Sequence, residues 1–450
     1  MKIGDKVDLR LETFMQMETK YSLFEYKTDT GIPLWDVLRY HVIWNYQIGL
    51  GGGLPPRKKR FPVKSLFNAF KILILSLYSL FFRKKGNILF QYARNLDEQN
   101  LLFDIVSENV IQSIGIDNIL LVEKKKISPK YKYQVETNFI YYLIPFIFNK
   151  KYLPKDFFNV IKTAMENTFG EMKFTYKELN KVYVRFLKEY SYYRFYLKYK
   201  RAQKIFFIQN GIQKGLIYAS NSLKIPIFEL QHGLINKEHP AYNYPPFIQK
   251  NDSRIIAPDF FLTFSNIWGR GMNIPMKTVA IGNNFFAQEI EEKNDHSILF
   301  ISSSIHGVFL SDLAVGYAKS HPDININFKL HSNEYSRENY YKQRFNDYAN
   351  IRILKNEFPV KLLIARSSLV VLIESTIFYE ALQTQSKVAV YKVMGYEANS
   401  EFFSLPNVYL FDNVEGLHFA YLAEKKESKV LFFDKFDKDS FNRFLNSVKL

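Results

Sequence analysis

The chain has 450 residues, of which 47% are hydrophobic and none is cysteine. This length and composition predict two or three folded domains with sizeable cores and argue against a disordered chain. Without cysteine, the chain cannot form disulfides, thiolate metal sites or a cysteine nucleophile, which suits a reducing cytoplasm. The N-terminus has no apolar signal-peptide core, so we expect no secretion.

The charge balance is strongly basic, with 61 Lys and Arg against 44 Asp and Glu, a net charge of +17. Part of the excess lies in four clusters: Arg57–Arg60, Arg83–Lys85, Lys124–Lys126 and Lys198–Arg201. Such a charge favours polyanions, which include nucleic acid, acidic lipid and phosphorylated substrates. Nucleic acid is the partner we expect least, because the chain has no zinc-ligand spacing, RNA-binding sheet signature or long basic helix.

Residues 1–85 are predicted to form a helical N-terminal extension. Apolar residues recur at helical spacing up to about residue 50, and Gly51–Pro56 is a predicted linker. The next segment, Phe61–Phe82, lies between two basic clusters, but its continuous apolar part is too short to span a bilayer. It fits either a helix in an anionic membrane interface or a core or lid helix of the fold.

From Gly86 onwards strands alternate with helices, which predicts a parallel sheet and a first α/β domain over 86–285. The predicted helices cover Leu101–Ile114, Asp156–Lys200 (one or two helices) and about 212–223, and Phe139–Phe148 is a very apolar element of undecided type. The predicted strands are Asn87–Phe90, Ile119–Val122, Ile205–Ile208, Ile225–Phe228, Phe260–Phe264 and Thr278–Gly282.

A polar, acidic segment over 283–296 is a predicted inter-domain linker, and a second βα series follows over 286–450. This second domain is predicted to end in a closing helix over Lys438–Lys449. Its predicted strands are Ser297–Ile301, Ile326–Leu330, Leu369–Ile373, Lys387–Tyr391 and Val408–Phe411. The predicted fold class is therefore α/β, with two Rossmann-like domains and a cleft between them.

Ligands of open parallel sheets bind beyond the carboxyl ends of the strands, so polar residues at those ends are candidates for a site. In the first domain, Glu229, Gln231 and His232 follow the strand Ile225–Phe228, and Gly233 permits a sharp turn. A strand end whose histidine caps a loop would have the same pattern.

Three strand-end loops of the second domain suit a nucleotide. Phosphates can be held by hydroxyls, backbone amides, a cation and an imidazole. The imidazole can also protonate a leaving group, and a carboxylate one turn into a helix can reach a ribose. Each loop alone also fits a solvated strand end or simple helix capping. The candidate donor-binding residues are Ser302, Ser303, Ser304, Lys329, His331, Glu334, Glu374, Ser375, Thr376 and Glu380.

Together these motifs resemble GT-B transferases of bacterial surface-polysaccharide biosynthesis, in capsule and O-antigen pathways. The resemblance is to enzymes with CMP- or CDP-activated donors: sialyltransferases, Kdo transferases and CDP-glycerol glycerophosphotransferases. Those enzymes have a His-Pro motif, matched here by His331-Ser332 with Ser in place of Pro, and a Ser-Ser or Ser-Thr motif, matched by Ser375-Thr376. Gln231-His232-Gly233 is similar to their His-Gly or Gln-His-Gly element. The leader, with Trp35 and Arg39, also resembles proteins of capsule and O-antigen gene clusters, but more loosely.

The resemblance implies that the first domain holds the acceptor and the catalytic base. Sialyltransferases of this type place an acidic base before a glycine, but the comparable loop here, Gln209-Asn210-Gly211, has amides that cannot take a proton. We therefore predict His232 as the base, with Glu229 and His239 as reserves. The predicted acceptor-binding residues are Gln209, Asn210, Gln231, Tyr242 and Tyr244, although the two tyrosines could equally pack the loop.

The resulting prediction is a glycosyltransferase that moves a sugar from a nucleotide-activated donor, with a CMP-sugar favoured, to a glycan or lipid-linked acceptor. We expect it at the inner face of the cell membrane, in peripheral contact with anionic lipid. We expect no cofactor and no metal, because no carboxylate cluster stands out. One alternative is a glycerol- or ribitol-phosphate transferase of the same fold, and a second is a non-catalytic polysaccharide- or nucleic-acid-binding protein.

Overall fold

The computed structural model describes residues 10–48, 86–91, 95–96, 101–123, 134–135, 152–288, 290, 295–393, 395–428 and 430–448. Within these ranges, no helix is both long enough and apolar enough to cross a membrane. Several predicted features lie outside the described residues: the linker Gly51–Pro56, the segment Phe61–Phe82, the element Phe139–Phe148 and three of the four basic clusters.

The described residues belong to two compact units. Unit 1 takes those between Met1 and Tyr46, between Lys58 and Asn283, and from Phe436 onwards, and unit 2 takes those between Asn284 and Lys435. The described helices of unit 1 are α1 (Leu11–Lys20), α2 (Leu34–Ile48, whose last two residues group with unit 2), α3 (Glu108–Ile114), α4 (Lys155–Phe169), α5 (Tyr176–Lys200) and α6 (Lys214–Ser222).

Among the described residues, the strands of unit 1 are β1 (Asn87–Gln91), β2 (Asn95–Leu96), β3 (Leu102–Phe103), β4 (Ile119–Glu123), β5 (Gln134–Val135), β6 (Lys204–Phe207), β7 (Ile227–Leu230), β8 (Phe260–Thr263) and β9 (Lys277–Ala280). Seven of them form one parallel sheet in the order β5-β4-β1-β6-β7-β8-β9, while β2 and β3 form a separate antiparallel pair. The order changes direction between β1 and β6, which makes that gap the topological switch point of the sheet.

The N-terminal helices α1 and α2 are part of the core of unit 1. Phe14 of α1 and Trp35 of α2 lie in one buried cluster with Phe90 of β1 and Phe207 of β6. The predicted helical character of this region is confirmed, and its described residues share a hydrophobic core with strands of the first sheet.

Unit 2 contains the described helices α7 (Asn284–Ala287), α8 (Gly307–Ser320), α9 (Glu338–Arg344), α10 (Val360–Arg366), α11 (Ile377–Gln383) and α12 (Val414–Leu422). Its strands are β10 (Ser297–Ile301), β11 (Ile326–Lys329), β12 (Ile351–Leu354), β13 (Ser367–Leu372), β14 (Val388–Tyr391) and β15 (Val408–Phe411). They form a parallel sheet in the order β12-β11-β10-β13-β14-β15, which is the Rossmann order. The prediction of two Rossmann-like α/β domains is confirmed, and the switch point of this sheet lies between β10 and β13.

The structure differs from the prediction in several details. The helix predicted over Leu101–Ile114 begins only at Glu108, because the Asp104 carboxylate accepts hydrogen bonds from the Val106 N–H at 3.2 Å and the Ser107 hydroxyl at 2.9 Å and holds a turn. The edge strand β12 was not predicted. Glu229, predicted to follow its strand, lies inside β7.

The last helix, α13 (Lys438–Ser447), belongs to unit 1 and does not close the second domain as predicted. Phe444 packs edge-on against Phe228 and Phe260, with ring centroids 6.0 and 5.2 Å apart. Asn442 also accepts a hydrogen bond from Ser113 of α3 at 2.9 Å. The amphipathic pattern of this helix predicts that it packs on a sheet but does not identify which sheet.

Candidate functional site

Glu229 has a fully buried carboxyl at the carboxyl end of the first sheet. Its Oε1 accepts hydrogen bonds from the Asn210 backbone N–H at 2.8 Å and the Tyr242 hydroxyl at 2.5 Å, and none of the described residues is a hydrogen-bond partner of its Oε2. Burial disfavours the charged form and raises the pKa of Glu229 to about 7. The carboxyl thus links β7 to the loop after β6 and to the loop containing Tyr242.

The loop after β6 is held tightly. Gln209 has a φ of 73°, an unfavourable left-handed conformation for a residue with a side chain. Asn210 is buried, with its amide nitrogen 3.2 Å from the Ala241 carbonyl and its Oδ1 without a partner. A Cβ on Gly211 would lie 2.6 Å from the ring of Tyr40, so only glycine allows this close approach.

Three rings pack together beside this loop, and we call Tyr40, Trp44 and His239 the aromatic layer. Their ring centroids are 5.7 Å apart for Tyr40 and Trp44, 6.0 Å for Tyr40 and His239, and 5.7 Å for Trp44 and His239. Burial lowers the pKa of His239 to about 4, and its Nδ1 accepts a hydrogen bond from Ala241 N–H at 3.2 Å. An imidazole with so low a pKa is a weak proton acceptor, and its Nδ1 is already engaged, so His239 is poorly suited to the role of reserve base.

Arg39 of α2 holds the loop that follows β7 by hydrogen bonds to its backbone carbonyls. Its guanidinium pairs with the buried Glu18 carboxylate, with Nε 2.6 Å from Oε1, and Trp35 donates to the same oxygen at 2.8 Å. The guanidinium also donates to the carbonyls of Pro240 and Asn243, the latter at 3.1 Å. The leader motif with Trp35 and Arg39 therefore has a structural explanation, since it holds the backbone of the candidate acceptor loop.

A second buried pair fixes the far end of the same loop. Asp36 accepts hydrogen bonds from Lys214 Nζ at 2.8 Å, the Tyr244 hydroxyl at 2.9 Å and the Ile256 N–H at 2.8 Å. Tyr244 and Tyr242 are both buried, so neither offers a ring face to an acceptor sugar. Their burial favours the alternative, that they pack the loop, and acceptor binding by these two tyrosines stays a prediction.

Gln231 and His232 lie at the turn after β7. The Gln231 side chain accepts from the Phe264 N–H at 2.9 Å and donates to the Gly233 carbonyl at 3.2 Å, so it supports the turn. His232 is half-buried. Gln91, at the end of β1, is buried, and within the described part of the chain its side-chain amide has no hydrogen-bond partner.

In unit 2, the loops after β10 and β13 meet at the switch point of the sheet. His306, which begins α8, is buried, and its Nε2 lies 3.4 Å from Oε1 of Glu374, just after β13. The other ring nitrogen, Nδ1, has no hydrogen-bond partner among the described residues. A Cβ on Gly395 would lie 3.1 Å from His306 Nε2, and Gly395 has a φ of 95°, so a glycine is required beside the pair.

The serines after β10 lie next to His306. Ser303 Oγ accepts a hydrogen bond from the His306 N–H at 3.1 Å, and Ser304 is half-buried. Ser302 is buried, 2.7 Å from where a Cβ on Gly307 would be. The structure therefore brings the predicted serines and Glu374 together around a histidine that was not among the predicted residues.

The loop after β11 is largely occupied with its own structure. Glu334 is fully buried and accepts from the Tyr341 hydroxyl at 2.5 Å and the His331 N–H at 3.2 Å, which ties the loop together. His331 is exposed, and its Nδ1 accepts from the Asn333 N–H at 3.2 Å. Lys329 is buried, which lowers its pKa, and its ammonium donates to the adjacent Leu330 carbonyl at 3.0 Å. Glu334 and Lys329 are thus already engaged by protein groups.

The Ser-Thr motif begins the short helix α11. Ser375 Oγ accepts from the Ile377 N–H at 3.2 Å, and Thr376 is the residue before the helix. Burial raises the pKa of Glu380 to about 7, an effect that the charge of Lys361 partly offsets. Burial also lowers the pKa of Lys361 to about 8, and its ammonium donates to the carbonyl of Gln288 at 3.1 Å.

The sequence patterns missed several residues that the fold brings to these strand ends. His306 lies two residues beyond the end of the serine run Ser302–Ser304, and its position before a helix was the available signal. Tyr40 and Trp44 are spaced one helical turn apart in the leader, but their contact with His239 depends on the tertiary structure. Within the described ranges, no group of three or more His, Asp or Glu side chains is arranged to hold a metal ion.

No protein-family model matches the chain, and no curated protein matches it. The chain is similar in structure to UDP-GlcNAc 2-epimerase of Methanocaldococcus jannaschii in complex with UDP-GlcNAc and UDP, with a TM-score of 0.50 and 12% identity over 80% of this chain and 99% of that one. It is also similar to the Staphylococcus aureus MnaA–UDP structure (TM-score 0.48, 11% identity, 81% and 98% covered) and to Acinetobacter baumannii MurG (TM-score 0.42, 10% identity, 76% and 91% covered).

At these identities the similarity concerns the fold alone. The fold is a two-domain α/β structure of the GT-B type, with two parallel Rossmann-like sheets and a helical N-terminal region. This agrees with the fold implied by the strand-end motifs.

Proposed function

We propose that this protein is a glycosyltransferase that moves a sugar from a nucleotide-activated donor to a growing cell-surface polysaccharide or lipid-linked glycan. The observation that carries the proposal is the contact of the buried His306 with the half-buried Glu374 at the switch point of the second sheet, beside Ser303 and the Ser375-Thr376 motif. Open parallel sheets bind nucleotides at such a crevice. When both ring nitrogens carry hydrogen, His306 Nε2 donates to Glu374 and Nδ1 is left to donate to a phosphate oxygen.

The identity of the donor nucleotide is a more specific part of the proposal. The preference for a CMP-sugar rests on the His331-Ser332 and Ser375-Thr376 motifs and on their resemblance to CMP- and CDP-donor transferases. The epimerase of similar fold binds UDP and UDP-GlcNAc by its own description, so uridine nucleotides belong in the same binding experiment.

His232 is the proposed base for the acceptor hydroxyl. His232 is half-buried, whereas the Glu229 carboxyl is fully buried. The imidazole of His239, in the aromatic layer, has a pKa lowered to about 4 and is therefore a weak proton acceptor. A base must reach the proton that it removes, and this favours His232. Glu229 then acts as a positioning residue through Asn210 and Tyr242.

The binding test compares CMP, CDP, UDP, GDP and ADP by thermal shift and calorimetry, because a nucleotide that binds the native state raises its melting temperature. His306→Gln should weaken binding of the preferred nucleotide about tenfold to hundredfold, the effect of losing a hydrogen bond to a charged group. Replacing Ser375 and Thr376 together with Ala should have an effect of the same size. The matched control is His321→Gln, at the other end of the 14-residue helix α8 and about 21 Å away. Unchanged affinity in a folded His306→Gln variant would overturn the assignment.

The activity test offers CMP-sugars, UDP-sugars, CDP-glycerol and CDP-ribitol with glycan acceptors and identifies the products. His232→Asn should lower kcat by about 10²- to 10⁴-fold and leave donor affinity unchanged. Transfer of glycerol phosphate or ribitol phosphate would establish the polyol-phosphate alternative. Epimerised UDP-GlcNAc without transfer would replace the proposal with an epimerase, and polymer binding without nucleotide release would indicate a non-catalytic protein.

A further inference from the structure

The aromatic layer of unit 1 presents a tryptophan to solvent. Trp44 is 36% exposed, whereas the other two tryptophans of the chain, Trp35 and Trp268, are 0% and 6% exposed. Tyr40 packs nearly parallel to Trp44, with an interplanar angle of 18°, and His239 lies against both rings. The layer is therefore a cluster of three rings in mutual contact, of which Trp44 is exposed to solvent.

The layer is connected to the buried polar groups at the carboxyl ends of β6 and β7. His239 lies against Tyr242, with ring centroids 4.7 Å apart, and the Tyr242 hydroxyl donates to Glu229. Among the residues that the structure describes, Glu229 Oε2 and Asn210 Oδ1 are buried oxygen atoms without hydrogen-bond partners. Buried polar atoms are rarely left unpaired in native proteins, and such exceptions require an explanation.

The chemistry of the layer suits an uncharged amphipathic ligand. His239 is neutral near pH 7, since burial lowers its pKa to about 4, and Tyr40 is neutral because burial raises its pKa to about 12. Small-molecule sites combine aromatic walls with a few polar groups that fix orientation. A pyranose ring has an apolar C–H face that can lie on an aromatic ring and hydroxyls at its rim that need hydrogen-bond partners.

We infer that Trp44, backed by Tyr40 and His239, is the stacking platform for a sugar ring of the acceptor glycan. The inference rests on the proposed function, because it assigns the acceptor subsite of that enzyme. It replaces Tyr242 and Tyr244 with Trp44 as the aromatic contact to the sugar.

The test is a glycan array of mono- to hexasaccharides, probed with the full-length wild-type chain and three variants. Trp44→Ala should weaken binding of the preferred glycan at least about tenfold, and Trp44→Phe, which keeps a ring, should retain most of it. Phe195→Ala is the matched control, because Phe195 is an exposed aromatic residue on α5 of the same unit, and it should bind like wild type. The preferred glycan should also protect the wild-type tryptophan fluorescence from acrylamide quenching, since only Trp44 is exposed.

Equal glycan binding by wild type and Trp44→Ala would overturn the inference. It would also be overturned if the array bound nothing while lipid vesicles protected Trp44 from acrylamide, because the exposed ring would then serve a membrane contact. Nucleotide binding is measured on the same preparations. If nucleotide binding is retained and depends on His306, while glycan binding does not depend on Trp44, the acceptor platform is refuted and the proposed function stands. If the wild type binds neither nucleotide nor glycan, the acceptor platform and the proposed function are both refuted.

Discussion

Replacing Glu229 with Gln should flatten the pH dependence of the stability of unit 1. Burial raises the pKa of this carboxyl from 4.5 to about 7, so the native state holds the proton more tightly than the unfolded chain does. A difference of about 2.5 pKa units corresponds to about 3 kcal/mol. Below about pH 4.5 the carboxyl is protonated in both states. Between about pH 4.5 and 7 the unfolded chain ionises first, and the wild type loses that stability as the pH rises.

Gln cannot ionise, yet its side-chain oxygen can still accept from the Asn210 N–H and the Tyr242 hydroxyl. The decrease in the free energy of unfolding between acidic and mildly alkaline pH should therefore be about 3 kcal/mol smaller for Glu229→Gln than for the wild type. Denaturation followed by tryptophan fluorescence is the suitable assay, because all three tryptophans of the chain lie in unit 1.

The matched control is Glu380→Gln. Glu380 has a pKa raised to a similar value, but it lies in unit 2, which contains no tryptophan. Its substitution should leave the fluorescence transition unchanged at every pH. Parallel pH profiles for wild type and Glu229→Gln would refute the reasoning, since they would mean that the carboxyl ionises equally easily in the native and unfolded states.

Three further predictions use the same preparations. Arg39→Met should lower the free energy of unfolding of unit 1 by about 3–5 kcal/mol, because it leaves the Glu18 carboxylate buried without its cation; a Glu18→Gln, Arg39→Met double variant that is no more stable than Arg39→Met would contradict this explanation. Gly211→Ala should cost about 1–3 kcal/mol by overpacking against Tyr40, and much less in a Tyr40→Ala background. Finally, flotation with anionic vesicles should decrease as salt rises if the basic clusters around Phe61–Phe82 attach the protein to membrane, and equal flotation with neutral vesicles would count against those clusters.

Most of both sheets could be predicted from short runs of β-branched and aromatic residues that alternate with segments of helical periodicity. The strand predicted over Ile205–Ile208 differs from β6 by one residue at each end, and Ser297–Ile301 agrees with β10. The edge strand β12 was missed because Ile-Arg-Ile-Leu is short and half-exposed, so it lacks the apolar run of a central strand. The unit to which α13 belongs could not be predicted either, since its apolar face fits any sheet.

The candidate sites were predictable only in part, for the same reason. Residues at strand ends, such as Glu229, Ser303 and Glu374, were identified because the sheet direction follows from the alternation of strands and helices. Whether such a residue is free for a ligand depends on its neighbours. Glu334 was an equally good candidate by sequence, but its carboxylate is occupied by Tyr341 and a backbone amide.

The sequence by itself determined the α/β class, the division into two Rossmann-like series and the loops that carry polar residues, because these follow from local periodicity and composition. Only the tertiary structure decided which distant residues meet. Arg39 clamps a carbonyl 201 residues further along the chain, and His306 meets Glu374 from a different strand. Such pairs depend on the packing of helices and loops against the sheet, a cooperative outcome of many contacts that no local pattern specifies.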